Sequence, residues 1–258
     1  MKWIVFSALA IFALYVVMCC VLYVMQDRLL YFPTPEAHPA GATALFVDSG
    51  GYRLKIWQLH GGSRRALLYF GGNAEDVAAK FAEFDAAFPD RAVYLVHYRG
   101  YGGSGGSPSE SRFIADAQAI FDSLEPRHEQ IAVMGRSLGS GVATALATVR
   151  PVEKIILVTP YDSIARVAAD HYAWAPVRWL VKDSYDSAAR MKDVHVPVLV
   201  LIAARDDVVL RPRSDALVAA IPSTLRHVKV FPNATHNDIN LQPGYRESMR
   251  EFLAGPRN

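Results

Sequence analysis

The sequence predicts an α/β protein: a mostly parallel eight-stranded sheet with helices on both faces, preceded by one N-terminal transmembrane helix. Three observations carry that reading. Short runs that are apolar throughout alternate with amphipathic stretches, the pattern of strands buried on both faces and the crossover helices that cover them. Residues 3–26 contain no charged side chain. Gly135-Arg136-Ser137-Leu138-Gly139 stands between an apolar, β-branched run and an alanine-rich one, the context of a sharp strand-to-helix turn.

As a helix, residues 3–26 span about 35 Å at ~1.5 Å per residue, enough to cross the hydrocarbon core with some tilt. A cleaved signal peptide is the alternative. It is disfavoured by the length of the run and by Val24, Met25 and Gln26, which make no small-x-small cleavage site. Met18 before Cys19 likewise makes a poor lipoprotein site. Trp3, Tyr23, Tyr31 and Phe32 are expected to mark the two membrane interfaces. The chain thus divides into an uncleaved anchor over 1–28, a Pro-rich linker over 29–43 and an α/β domain over 44–258. Lys2 and the α-amino group precede the span, whereas Asp27 and Arg28 nearly cancel after it. The domain is therefore expected outside the cytoplasm.

Beyond the anchor, Ser49-Gly50-Gly51 joins strands 44–48 and 52–60 as a hairpin. Strands follow at 66–70, 92–97, 130–134, 154–159, 198–203 and 226–231. Helical patterns lie at 74–88, 111–124, 141–149, 163–181, 213–221 and 245–253. With 27 Lys and Arg against 25 Asp and Glu, the chain offers no basic face, which argues against nucleic acid as a partner. Both cysteines, Cys19 and Cys20, fall in the apolar segment, leaving the domain without disulfides or a cysteine metal site.

A serine hydroxyl becomes a nucleophile when a base takes its proton and an acid fixes the base's tautomer. Ser137 in the Gly-x-Ser-x-Gly turn is the candidate nucleophile. His236 follows the last strand and is the candidate base, while His60 and His97, at strand ends, are expected beside the cleft. Asp206 and Asp207 both follow the strand at 198–203 and compete for the acid role. The oxyanion of a tetrahedral intermediate needs two backbone donors. Leu138, after the nucleophile, provides one; Asn73, in Gly71-Gly72-Asn73-Ala74-Glu75-Asp76, provides the other or merely caps the helix at 74–88.

Gly100-Tyr101-Gly102-Gly103-Ser104-Gly105 matches a dinucleotide fingerprint. Ser107-Pro108-Ser109 separates these glycines from the next helix, and the next strand ends in Met134-Gly135 without an acid for a ribose. A Gly-rich loop bordering the cleft is the better reading, and no organic or metal cofactor is expected.

Leu30-Tyr31-Phe32-Pro33, Phe70-Gly71-Gly72-Asn73-Ala74-Glu75, Tyr98-Arg99-Gly100-Tyr101-Gly102, the Ser137 pentapeptide, Thr159-Pro160-Tyr161-Asp162-Ser163 and Thr235-His236-Asn237-Asp238 form a specific set. Together they resemble the alpha/beta-hydrolase superfamily, in its branch of membrane-anchored abhydrolase-domain serine hydrolases. The resemblance implies Ser137 as nucleophile, Asp206 as acid, His236 as base, and Asn73 and Leu138 as the oxyanion hole. Gly71 departs from the His that many relatives carry there, a change that leaves the backbone donor available. The implied activity is hydrolysis of an ester or thioester of a small or lipid-like acyl substrate. A peptidase or amidase on the same triad and a non-catalytic binding protein are the alternatives. Residues 161–191, with Tyr172, Trp174, Trp179 and Tyr185, are expected either to wall an acyl pocket or to cover the sheet as a buried helix.

Overall fold

The computed structural model describes residues 1–255. Strands β1 (Thr43–Ser49) and β2 (Tyr52–Leu59) pair as a hairpin whose turn residues Gly50 and Gly51 have φ of 54° and 78°, which glycine adopts without strain. They are followed by β3 (Arg65–Phe70), β4 (Ala92–Val96), β5 (Gln130–Arg136), β6 (Ile155–Val158), β7 (Val198–Ala203) and β8 (Arg226–Phe231). Among the described residues these eight form one sheet in the order β1-β2-β4-β3-β5-β6-β7-β8. The β1–β2 and β2–β4 pairs are antiparallel, and every other pair is parallel.

The helices are α1 (Lys2–Leu30), α2 (Phe81–Ala87), α3 (Glu110–Leu124), α4 (Leu138–Ala147), α5 (Ile164–His171), α6 (Val177–Leu180), α7 (Ser187–Arg190), α8 (Arg211–Ala220) and α9 (Tyr245–Ala254). Strand side chains alternate between two cores. Leu68, Phe70 and Val133 pack with Phe113 of α3 and Val142 of α4, whereas Leu67, Tyr69 and Ala132 pack with Phe84 of α2 and Met249 of α9. Burial on both sides is why these strands read as apolar throughout.

Helix α1 has a mean hydropathy of 2.7 over its most apolar window, and it is long and apolar enough to cross a membrane. It continues to Leu30 and delivers Tyr31 into the domain. Tyr31 is not an interfacial anchor: it is 3% exposed, and its hydroxyl donates to Asp183 Oδ2 at 2.6 Å.

Three other elements differ from the sequence pattern. The stretch at 74–88 becomes a 3-10 turn, Val77–Lys80, followed by α2, and Asp76 rather than Asn73 caps it, accepting from Ala78 N at 2.9 Å. The segment at 163–181 breaks into α5 and α6, because Pro176 lacks an N–H and disfavours helix at the residue before it. It is not a buried covering helix either, since α5 contains no buried residue and Trp179 is 88% exposed. Finally, α4 starts at Leu138, three residues early, because the turn passes from strand to helix with no intervening loop.

Candidate active site

Adjacent parallel strands β3 and β5 end side by side, and the crevice beyond their carboxyl ends is where open α/β sheets bind ligands. The turn after β5 is tight enough to demand its glycines. A Cβ on Gly135 would lie 2.2 Å from Gly139 O, and one on Gly139 would lie 2.1 Å from Phe70 O. Between them Ser137 takes φ 49° and ψ −117°, a conformation that costs a non-glycine residue ~1–3 kcal/mol. The strain lifts the hydroxyl out of the sheet, and Ser137 is half-buried while Leu138 and Ser140 beside it are buried.

His236 comes from the loop after β8. Its Nε2 lies 3.0 Å from Ser137 Oγ, and its Nδ1 lies 2.8 Å from Asp206 Oδ2. Asp206 Oδ1 accepts from Val208 N at 2.9 Å and Val209 N at 2.7 Å, so one carboxylate both faces the histidine and holds its own turn. Asp207 is exposed. The structure therefore brings Ser137, His236 and Asp206 together in a single hydrogen-bonded chain and leaves Asp207 outside it.

Leu138 opens α4, where an N–H has no carbonyl four residues back to bond with. Across from it, the loop after β3 comes close to the serine: a Cβ on Gly72 would stand 3.6 Å from Ser137 Cβ. Asn73 follows Gly72. Its side chain does not cap a helix; Nδ2 donates to Leu30 O at 2.5 Å, and Oδ1 accepts from Phe32 N at 3.0 Å and Tyr101 Oη at 3.1 Å. Tyr101 belongs to the Gly-rich loop, which thus borders this site. That loop packs on the segment after α1, with Gly102 N donating to Thr34 O at 3.0 Å. Ser109 caps the following helix, so the glycines do not lead into its N-terminus.

His60 is not beside the cleft. Strand β2 runs antiparallel to β4, which puts His60 at the opposite edge of the sheet, where its Nε2 lies 3.1 Å from Asp85 Oδ1. His97 is buried against Trp57, and desolvation pushes its imidazole down to about 4. Two residues that sequence reasoning passed over tie the site together. Arg136 Nη1 donates to Glu75 Oε2 at 3.0 Å, and its Nη2 donates to His236 O at 3.0 Å. Arg136 occupies a variable position of the Gly-x-Ser-x-Gly pattern and Glu75 sits two residues past Asn73, so no spacing rule pairs them. Among the described residues, no group of three or more His, Cys, Asp or Glu is placed to hold a metal ion.

Comparison with known proteins agrees with the architecture. Residues 64–183 match the family model described as Serine aminopeptidase, S33. An uncharacterized protein of Mycobacterium tuberculosis is 40% identical over 246 residues, covering 88% of this chain and 87% of its own length. Protein bem46 of Schizosaccharomyces pombe is 30% identical over 203 residues, covering 74% of this chain and 68% of its own. Alpha/beta hydrolase domain-containing protein 17C of Xenopus laevis is 30% identical over 75% of this chain and 62% of its own. Among solved structures, the Pyrococcus furiosus esterase Pf2001 superposes with a TM-score of 0.69 at 18% identity, covering 86% of this chain and 96% of its own, which shows a shared fold. The sheet order, the strand-to-helix turn and these relatives together place the chain in the alpha/beta-hydrolase superfamily, and it belongs to that superfamily.

Proposed function

We propose that the protein is a serine hydrolase, held to a membrane by α1, that cleaves an ester or thioester of an acyl substrate through an acyl-enzyme on Ser137. His236 Nε2 takes the Ser137 proton as Oγ attacks the acyl carbon, and Asp206 holds the imidazole tautomer and stabilises the imidazolium. The backbone N–H groups of Leu138 and Asn73 receive the oxyanion. Collapse breaks the bond to the leaving alcohol or thiol, which takes the proton from His236. A water molecule then gives a proton to His236 and attacks the acyl carbon, and Ser137 recovers its proton as the acid departs. None of these steps calls on a cofactor.

The observation that carries the reading is the continuous Ser137–His236–Asp206 hydrogen-bonded chain, built on a serine with left-handed φ. Similarity to proteins named as esterases supports ester chemistry. The family description favours a second reading, an aminopeptidase on the same residues. An aminopeptidase must hold a free ammonium group. Glu75, the carboxylate nearest in sequence to the Asn73 loop, is already engaged by Tyr69, Gly72 and Arg136.

The test is labelling of the full chain with a fluorophosphonate, followed by panels of acyl esters, acyl thioesters and aminoacyl anilides. Ester or thioester turnover is expected, with Ser137→Ala losing labelling and about 10⁶ in kcat. Labelling that survives Ser137→Ala overturns the assignment, and turnover confined to the anilides favours the peptidase.

The charge asymmetry about α1 supports a domain outside the cytoplasm. Protease added after the outer barrier is opened should then digest the domain while the inner membrane is still intact. A domain protected until that membrane is lysed lies in the cytoplasm.

A further inference from the structure

The Gly-rich loop after β4 folds back on the sheet. Tyr101 N donates to Tyr98 O at 2.8 Å, and Gly102 follows with φ 52°. The fold-back turns two tyrosine hydroxyls toward the loop after β3. Tyr98 Oη donates to Gly71 O at 2.7 Å, and Tyr101 Oη donates to Asn73 Oδ1 at 3.1 Å. Tyr101 is 2% exposed, and its ring meets those of Tyr98 and Phe113 edge-on, which fixes the direction of the hydroxyl. Burial pushes this phenol up, so it remains a proton donor.

The same side chains meet the exit of the anchor. Helix α1 stops at Leu30, and Tyr31 is already extended, with φ −112° and ψ 127°. Phe32 N donates to Tyr101 Oη at 2.9 Å and to Asn73 Oδ1 at 3.0 Å, while Asn73 Nδ2 donates to Leu30 O at 2.5 Å. Both ends of the Asn73 amide are therefore committed to the backbone that leaves α1.

The turn that carries Asn73 needs such support. Glu75 N donates to Gly72 O at 3.2 Å and closes a turn through Asn73 and Ala74. Ala74, its third residue, has φ 58°, where a type II turn favours glycine. A conformation of that kind persists only where its surroundings over-determine it. Glu75 grips one flank, its carboxylate accepting from Gly72 N at 2.6 Å. Tyr101 and the anchor exit hold the other. Gly72 packs against Ser137, so relaxation of the turn would shift the Asn73 N–H relative to the serine.

We propose that Tyr101 and the Asn73 side chain are positioning residues, which use the anchor exit at residues 30–32 to hold the Asn73 N–H on the oxyanion. The end of the anchor is then part of the scaffold of the site as well as a tether. The proposal rests on the serine-hydrolase reading, because it requires an oxyanion formed at Ser137.

The experiment uses the full chain in phosphatidylcholine nanodiscs, with active sites titrated to completion by a fluorophosphonate so that misfolded protein is not counted. For each variant, kcat and KM are measured on a short-chain ester, and Ki on a trifluoromethyl ketone that forms a hemiketal oxyanion with Ser137. Tyr101→Phe keeps the ring and removes the hydroxyl. Its kcat should fall about ten-fold, the worth of one hydrogen bond, with KM little changed. Its Ki should rise by the same factor, since transition state and analogue lose the same interaction. Asn73→Ala keeps the backbone N–H and loses every side-chain bond, and about 10² is expected in both quantities, the effect of misplacement by roughly an ångström.

From the anchor side, Phe32→Pro removes the donor at a residue 49% exposed, and Tyr31 before it already has the extended backbone that proline requires. It should lower kcat more than Phe32→Ala, which keeps the N–H. In an Ala74→Gly background the turn carries no strain, and the Tyr101→Phe loss should shrink. Unchanged kcat and Ki in Tyr101→Phe, whatever its Tm, overturn the proposal. A fall in kcat without a matching rise in Ki overturns it too, as does a Tyr101→Phe loss equally large beside Ala74→Gly. A chain that the fluorophosphonate does not label at Ser137 refutes the serine-hydrolase reading and this proposal with it. A labelled chain whose variants match wild type refutes this proposal alone.

Discussion

Arg136 and Glu75 form a buried ion pair at 3.0 Å, their side chains 14% and 6% exposed, that joins the loops on either side of Ser137. Glu75 Oε2 also accepts from Gly72 N at 2.6 Å, and Oε1 accepts from Tyr69 Oη at 2.7 Å. Arg136 in turn holds the carbonyl of His236. The loop bearing Asn73, the residue preceding the serine and the loop bearing the histidine are thus fixed to one another by two side chains that touch no reacting atom.

Glu75→Gln keeps the shape of the pair but leaves a buried guanidinium without its counter-charge. Breaking such a pair costs roughly 3–5 kcal/mol of stability. Misplacing the site by an ångström costs about 10² in rate. The expected outcome is a lower Tm and a kcat reduced by up to that factor, with KM little changed. Steady-state kinetics on a short-chain ester decide it, since a change mainly in KM would assign Glu75 to substrate binding.

Asp206 and Asp207 differ in what they touch, and their substitutions should differ accordingly. Asp206→Asn removes the acceptor that fixes the Nδ1–H tautomer of His236, with an expected loss of about 10⁴ in kcat. Asp207→Asn changes an exposed side chain and should stay within a few-fold. Parallel kcat measurements on the two variants are sufficient, and a large loss at Asp207 alone reverses the assignment.

The sheet was legible because each strand is apolar on both faces, and the strand-to-helix turn because Gly135 and Gly139 have no alternative at 2.2 and 2.1 Å from backbone oxygens. The order of Ser137, Asp206 and His236 located three residues that meet, since each follows a strand and parallel strands end on one edge. What was not legible depends on long-range contact. Asn73 looks like a helix cap in sequence, yet its side chain is drawn to Leu30, 43 residues away. Tyr31 looks like an interfacial aromatic until Asp183 and Tyr185 supply partners for its hydroxyl inside the domain. His60 was misplaced because strand direction, which decides the edge it occupies, is not written in a period-two pattern.

Gly139→Ala tests the turn itself. The added methyl would sit 2.1 Å from Phe70 O and 2.6 Å from Gly71 O, backbone atoms that cannot yield without shifting β3. Overpacking of this kind costs ~1–3 kcal/mol and sometimes more, and for a domain of this size each kcal/mol lowers Tm by about 2–4 °C. A fall of roughly 2–12 °C is expected by thermal melting. Gly62→Ala is the control: its Cβ would meet nothing within 4 Å, so its Tm should hardly move. A Gly139→Ala protein as stable as the control would mean that the turn tolerates a side chain and is wider than described.

His97 supplies a pH dependence with a definite sign. It is 2% exposed, a Cβ on Gly102 would collide with its ring, and the charges facing it are Asp76, Lys55 and Glu36. Desolvation outweighs the favourable carboxylates and lowers its pKa to about 4, so the folded protein keeps the ring neutral over a range where the unfolded chain takes up a proton. Above about pH 7 neither state is protonated and the residue contributes no slope. As pH falls from ~6.5 toward 4 the unfolded state binds more protons, and stability is lost, on the order of 3 kcal/mol over that interval. Melting temperatures of wild type and His97→Gln, taken from pH 7.5 to 4.5, should diverge at neutral pH and converge on acidification, because the variant lacks this loss. The variant should keep a residual slope from His128, which burial also pushes down. Two curves that stay parallel across the range would show that His97 titrates alike in both states, and the buried, neutral ring would have to be abandoned.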